Sequence, residues 1–198
     1  MNTNEFDYYI IGMSGIANAP LLIEDEDCPY YITNEQYVEN PECMFFCLGA
    51  PIPRNPLMVD YHPVPYTVVS KKICDILQPL SIKGIQLIPA TITGKNNELY
   101  EDYFYLHIYN IYPLLDKGLS NFSKWNETLD EAIGLSKIVL VKEKLDEISL
   151  ENRLILKLRE KDTFELYHKS VVDAIMATNP EGIVFTSLAD WNTGKTFD

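Results

Sequence analysis

Runs of aromatic and β-branched residues recur along this chain, and glycine, proline or polar residues separate them. Such side chains pack well on a pleated, half-buried surface, so these runs are typical of β-strands. They predict strands at residues 6–13, 21–23, 66–69, 85–93, 103–112, 138–141, 154–158, 164–167 and 183–187. Pro89 has no N–H to donate to a neighbouring strand, which places it at a sheet edge or at a bulge.

Apolar residues recur at helical spacing in two further stretches. The apolar positions of the first are Ile73, Ile76, Leu77 and Leu80. Ser70 is a candidate cap for this helix, and Pro79 should bring it to a close. The second helix is predicted at residues 169–177. Residues 33–36 begin with threonine and end with glutamine, a capping box that predicts a short helix ending before residue 41.

The two helical stretches have similar surroundings. Each lies between two predicted strands, with a glycine before the second strand. Four residues match at a constant offset of 98 positions: Lys71, Asp75, Gly84 and Ile85 correspond to Lys169, Asp173, Gly182 and Ile183. Two similar strand–helix–strand units would produce these matches, and so would coincidence.

Prolines are concentrated between residues 50 and 65, where they exclude a helix or a central strand and predict a long extended connection. We therefore expect an α+β fold with mixed, largely antiparallel sheets and a few short helices. We also expect an acidic N-terminal section at residues 1–62 and an α+β domain at residues 63–198, unless both form one compact body.

Acidic residues dominate the charge of the chain. The net charge is −13, and residues 1–70 hold ten carboxylates against the single cation Arg54. A field of this sign repels nucleic acid and anionic membranes and attracts basic partners. Solubility alone would also account for the excess. No nucleic-acid or membrane partner is expected.

The cysteines and histidines do not form a recognisable reaction centre. Cys43 and Cys47 are flanked by apolar residues and lack a second ligand pair, so we interpret them as core residues and expect no metal ion. His62, His107 and His168 have no nucleophile or metal ligand at a diagnostic spacing. We therefore predict no catalytic residue, no cofactor and no enzymatic activity.

The sequence also suggests a compartment. Its first residues contain no basic region followed by an apolar run, and no stretch approaches the roughly 20 apolar residues that cross a bilayer. We expect a cytoplasmic protein whose four cysteines are reduced.

From Pro65 onward, the order of short apolar motifs resembles a family of bacterial immunity proteins from polymorphic toxin systems, typified by a myxobacterial protein. The matching segments are residues 65–70, 73–77, 84–89, 110–111, 114–116 with Ser120, 138–140, 154–158, 169–177 and 182–185. They cover about two-thirds of the chain.

The resemblance implies a protein that binds and neutralises a cognate toxin by blocking its surface or active site. An acidic inhibitor suits a basic toxin domain, such as a nuclease, because complementary charge speeds association. The candidate partner-binding residues are Glu24, Asp25, Glu26, Asp27, Asp60 and Asp116. The sequence leaves open whether Asp116 and Ser120 have a structural or a binding role. Two alternatives remain: a regulatory module that binds a small molecule or peptide in an aromatic groove, and a small hydrolase.

Overall fold

The computed structural model describes residues 7–29 and 35–192, and strands are its main elements. The strands are β1 (Tyr8–Met13), β2 (Leu22–Glu24), β3 (Met44–Leu48), β4 (Tyr61–His62), β5 (Val68–Ser70), β6 (Ile85–Thr93), β7 (Leu99–Ile108), β8 (Ile111–Tyr112), β9 (Lys124–Asn126), β10 (Glu131–Ile133), β11 (Ile155–Leu158), β12 (Lys161–His168) and β13 (Ile183–Ser187). The α-helices are α1 (Lys71–Leu77), α2 (Lys142–Asp146), α3 (Leu150–Arg153) and α4 (Lys169–Met176). Short 3₁₀ turns lie at Gln78–Leu80 and Lys95–Asn97.

The strands form two large mixed sheets and a small hairpin. The first sheet has the order β2-β3-β6-β7-β5-β4, in which only β3 and β6 run parallel. The second has the order β13-β1-β12-β11-β8, in which only β8 and β11 run parallel. Strands β9 and β10 pair with each other. The expected α+β fold, with largely antiparallel sheets and a few short helices, is confirmed.

Two strand–helix–strand units organise these sheets, as the sequence repeat suggested. In the first, α1 lies in the connection from β5 to β6, and β7 lies between these two strands and is antiparallel to both. In the second, β1 lies in the same way between β12 and β13, and α4 connects them. Helices α1 and α4 pack together, and their apolar sides share one core with both sheets. This core joins the two units.

The matched residues have matched conformations. Gly84 and Gly182 both have φ of +80°, a region that side chains with a Cβ rarely adopt. A Cβ at Gly84 would lie 1.8 Å from the side chain of Asn110, and a Cβ at Gly182 would lie 2.7 Å from that of Val59. In both units the lysine that begins the helix also forms an ion pair with the aspartate four residues later, with N–O distances of 2.7 and 2.6 Å. The offset of 98 residues therefore corresponds to a structural similarity.

Strands from the N-terminal section belong to both sheets. β1 pairs with β12 and β13, and β3 pairs with β6. The connection between β3 and β5 has little regular structure, and the short strand β4 lies at a sheet edge. A domain boundary near residue 62 remains a prediction. Strands on its two sides pair with each other.

The predicted single strand at residues 103–112 is wrong, because the chain turns after Ile108. The backbone N–H groups of Tyr109 and Asn110 both donate to the Gly84 carbonyl, and β8 then joins the other sheet. The buried Asn110 amide holds this turn by donating to the carbonyls of Lys83 and Asn152, at 2.6 and 2.7 Å. These partners are distant in sequence, so the aromatic run alone did not reveal the turn.

Three further local predictions need correction. Residues 138–141 form only one isolated bridge, Leu115–Leu140, because their apolar side chains enter a core without joining a ladder. Residues 35–40 are not helical, while Thr33 of the supposed capping box lies outside the described residues. Ser70 does occupy the cap position of α1, but its hydroxyl donates to Asp60 instead of capping the helix.

Other details are confirmed. Pro89 pairs with β7 on one side only, since the parallel pairing of β6 with β3 begins at Ala90, and a bulge follows between Ala90 and Ile92. Helix α4 covers almost all of the stretch predicted from its apolar spacing.

Candidate functional site

The acidic run forms an exposed turn at one edge of the six-stranded sheet. This acidic turn consists of Glu24, Asp25, Glu26 and Asp27. The carboxylate of Asp25 accepts the N–H of Asp27 at 3.3 Å, and its backbone carbonyl accepts the N–H of Cys28 at 3.0 Å. Asp25 is half-buried by these contacts, whereas the other three carboxylates are exposed to solvent. Three charges of the turn are therefore available to a partner.

Exposed apolar side chains lie beside this turn. Alternate residues of β3 are buried in the core, so Phe45 and Cys47 point to the opposite side of the sheet. Ile23 pairs with Cys47, and the N–H of Asp25 donates to the Phe45 carbonyl at 3.0 Å. Ile23 and Asp25 therefore share the side of Phe45. Burial and then the charge of Asp25 raise the pKa of the Cys47 thiol, which agrees with this proximity.

The same side of the sheet continues across β6 to β7. Cys47 pairs with Thr93, and Thr93 pairs with Leu99. Ile23, Phe45 and Leu99 are 49%, 39% and 58% exposed. Further along this side, Leu87 and Phe104 pack in the core that contains α1 and α4. Because α1 has only seven residues, it leaves the rest of the surface uncovered. We call this surface the outer patch: Ile23, Asp25, Phe45, Cys47, Thr93 and Leu99.

Asp60, another candidate partner residue, makes its contacts within the protein. Its carboxylate accepts the Ser70 hydroxyl at 2.6 Å, the backbone N–H of Glu181 at 2.8 Å and the Lys72 ammonium at 3.1 Å. Burial raises the pKa of Asp60, but these three hydrogen bonds outweigh burial and lower it below its usual value. Asp60 thus connects the proline-rich segment to both strand–helix–strand units. Its role in partner binding remains a prediction.

Asp116 also has intramolecular partners. Its side chain accepts the N–H groups of Gly118 and Leu119 at 2.8 and 3.0 Å and so forms a turn. The Ser120 hydroxyl donates to the Val139 carbonyl at 3.2 Å and accepts the Val139 N–H at 2.9 Å. Both residues have a structural role, and a role of Asp116 in partner binding remains a prediction.

A cleft of about 720 Å³ lies where the two sheets meet. Strands β1 and β12 form one wall, and the segment from β4 to β5 forms the other. Its lining includes Tyr61, Thr67, Tyr105, Lys157, Asp162 and Glu165. This volume falls within the range of ordinary small-ligand sites. An aromatic groove is the feature that would favour a ligand-binding module, and this cleft is such a groove.

Glu165 is the most deeply buried carboxyl group of the cleft, with 8% of its surface exposed. One oxygen accepts the Thr67 hydroxyl at 2.5 Å, and the other accepts the Tyr167 hydroxyl at 3.0 Å. Burial and then the charge of Glu165 raise the pKa of Tyr61, Tyr105 and Tyr167, so these phenols stay protonated at neutral pH.

Sequence reasoning missed this site, although two signals were present. Thr67 and Glu165 are separated by the same 98 residues as the matched pairs of the repeat. Equivalent positions of the two units therefore meet at their junction. A charged residue inside the apolar stretch of β12 was a second indication.

The histidines lie elsewhere, and none of them lines the cleft. His62 is fully buried; its Nδ1 lies 3.2 Å from the Pro20 carbonyl, and burial lowers its pKa to about 4. His107 lies between the Tyr105 hydroxyl and the Gln36 carbonyl. His168 caps α4 by accepting the N–H of Ser170 at 3.2 Å. These contacts are structural, and the absence of catalysis remains a prediction.

Within residues 7–29 and 35–192, no three histidine, cysteine, aspartate or glutamate side chains are grouped so that they would hold a metal ion. No helix in the same ranges has the length and apolar character needed to span a membrane.

Comparison with known proteins gives no match, either to a protein-family model or to a curated protein. The functional conclusions therefore rest on the residues and their arrangement.

Proposed function

We propose that this protein is an immunity protein, which binds a basic toxin domain and neutralises it through the acidic turn and the outer patch. The observation that carries the proposal is that the exposed apolar side chains of the outer patch lie beside the exposed carboxylates of the acidic turn, at one edge of the sheet. Protein interfaces commonly have an apolar centre and a polar rim.

The charge of the protein supports a basic partner. The net charge is −13, and three carboxylates of the acidic turn are free of ion pairs within the described ranges. Charges of this kind raise the rate of encounter with an oppositely charged protein. A fast encounter matters for an inhibitor, because the toxin acts until it is captured.

The outer patch supports a protein partner over a dissolved ion. Phe45 is an aromatic side chain near the centre of the patch, with Ile23 on the adjacent strand and Leu99 two strands further along. Aromatic residues surrounded by other contacts often contribute most of the binding energy of an interface. The motif order from Pro65 onward, which resembles that of known immunity proteins, agrees with this function.

The test uses the toxin domain encoded beside this chain in the genome. Purified toxin domain and full-length protein should form a stable complex in size-exclusion chromatography, and co-expression should restore growth to cells that make the toxin. A neighbouring toxin domain that neither binds the protein nor loses toxicity would refute the proposal.

Two charge variants show whether the acidic turn takes part. The turn variant replaces Glu24, Glu26 and Asp27 with lysine. The control variant replaces Glu127, Glu143 and Glu147, which are exposed elsewhere, with lysine. Both variants change the net charge by the same amount, so a difference between them reports the position of the charge. The turn variant should associate about tenfold more slowly at low salt than the control variant.

A further inference from the structure

The cleft between the sheets contains a buried carboxyl group that forms no ion pair with any of the described residues. Within the described part of the chain, Glu165 is absent from the ion pairs, and its two hydrogen-bond partners are neutral hydroxyl groups. A carboxylate offers about four acceptor positions, and the Thr67 and Tyr167 hydroxyls occupy two of them. Glu165 therefore retains acceptor capacity where it lines the cleft.

The described residues of the lining leave the cleft acidic. Among them, Asp162 and Glu165 are opposed by one cation, Lys157. Lys157 lies directly opposite Glu165 in the pairing of β11 with β12, yet the two side chains form no ion pair. The Lys157 side chain is only half-buried. Its ammonium group is therefore solvated by water more readily than it would be in a buried site. An additional positive charge beside Glu165 would balance the lining.

Aromatic rings and apolar side chains complete the walls. The aromatic members of the lining are Tyr61, Tyr66, Tyr105, Phe164 and Trp191. Ring faces attract ammonium and guanidinium groups, and apolar walls bind the hydrocarbon that carries such a group. Acidic and aromatic groups together thus favour one class of ligand.

We propose that this cleft binds a ligand that carries a single organic cation, ammonium or guanidinium, on an apolar body, with Glu165 as its acceptor. The proposal does not depend on the toxin. The cation comes either from a free amine or from a lysine or arginine side chain of another protein, and the same acceptor serves both.

Three probes of similar size and different charge test the preference of the cleft. Phenethylammonium, 2-phenylethanol and 3-phenylpropionate are titrated into the full-length protein, and dissociation constants are measured by calorimetry. NMR shifts of the Trp191 indole report whether each probe enters the cleft. The ammonium should bind about tenfold more tightly than the alcohol, since a hydrogen bond to a charged partner is the stronger one. The carboxylate should bind most weakly. Equal affinities for the ammonium and the alcohol would overturn the proposal.

Two substitutions should act in opposite directions. Glu165→Gln keeps the shape of the side chain and removes its charge, so the preference for the ammonium over the alcohol should disappear. Lys157→Met removes the competing ammonium and keeps an apolar chain, so affinity for phenethylammonium should rise severalfold. Asp173→Asn, on the exposed side of α4, makes the same change of net charge as Glu165→Gln and should leave binding unaltered. If Glu165→Gln lowers the melting temperature so far that binding cannot be measured, the affinity of Lys157→Met for phenethylammonium still tests the proposal. An unchanged affinity in Lys157→Met would contradict the proposal.

A peptide arm distinguishes the two sources of the cation. N-acetyl-Gly-Arg-Gly-amide is compared with the matching Gly-Ala-Gly peptide and with phenethylammonium. Tighter binding of the arginine peptide indicates a protein side chain, and tighter binding of phenethylammonium indicates a free amine. Failure of both cations to shift the Trp191 resonance would overturn the proposal, while toxin neutralisation is measured separately and need not change.

Discussion

Asp60 offers a direct test of how the proline-rich segment is attached to the rest of the protein. Its side chain is 13% exposed and accepts three hydrogen bonds, from Ser70, the Glu181 backbone and Lys72. Asp60→Asn keeps the size of the side chain. It replaces one acceptor oxygen with an NH₂ group, which cannot accept the hydrogen bond that the oxygen accepted. Each hydrogen bond to a charged acceptor contributes about 1.5–3 kcal/mol. The Lys72 pair is partly exposed and adds less.

The substitution should lower the free energy of unfolding at pH 7 by about 2–3 kcal/mol. The loss is limited because the amide oxygen still accepts a hydrogen bond from either the Ser70 hydroxyl or the Glu181 backbone N–H. Urea denaturation monitored by tryptophan fluorescence measures the change. Asp173→Asn is the matched control, since it removes the same charge from an exposed ion pair and should cost far less.

The pH dependence gives a second, independent check. The pKa of Asp60 is lower in the folded than in the unfolded protein, so the unfolded chain binds the proton first as pH falls. The contribution of Asp60 to stability is therefore complete above the unfolded pKa of about 3.9 and is lost as pH falls through the folded pKa. The difference between wild type and Asp60→Asn should shrink below about pH 4. A difference that is no larger than that of Asp173→Asn, or one that does not change with pH, would refute this account.

Toxin binding by Asp60→Asn tests the second possible role of this residue. If Asp60→Asn folds and loses as much toxin affinity as the turn variant, Asp60 also contacts the partner.

The remaining predictions concern the outer patch, the shared glycine conformation and the buried histidine. Phe45→Ser should speed dissociation of the toxin complex at least tenfold, and the protein should remain folded because the ring is only partly buried. An unchanged dissociation rate in surface plasmon resonance would show that Phe45 lies outside the interface. Gly84→Ala should destabilise the protein by about 2 kcal/mol or more in urea denaturation, because of its positive φ and the contact with Asn110, whereas Gly15→Ala, in open space, should have little effect. Lowering the pH from 7 to 5 should cost about 2 kcal/mol through His62, because its pKa of about 4 lies below that of the unfolded chain, so only the unfolded chain binds the proton in this range. His62→Gln should lack this part of the pH dependence, and an unaltered pH profile would show that the imidazole does not cause it.

The order of the amino acids by itself determined many of the local elements, though not all of them. Aromatic and β-branched runs located most strands, and apolar spacing located α1 and α4, because these patterns depend on neighbours within a few residues. The position of Pro89 and the repeat of 98 residues are also visible in the sequence, and both correspond to features of the sheets. The excess of acidic residues favours a basic partner, and amino-acid composition alone is enough to establish that excess.

Contacts between distant segments decided the rest. The turn at Asn110 depends on the carbonyls of Lys83 and Asn152, and the hydroxyl of Ser70 binds Asp60 instead of its own helix. The outer patch exists because a short helix covers only part of a sheet whose strands are far apart in sequence. The cleft forms where two similar units meet and bring Glu165 to a threonine 98 residues away. Sequence patterns report neighbours along the chain, whereas burial and hydrogen-bond partners depend on which segments pack together, and only the tertiary structure contains that information.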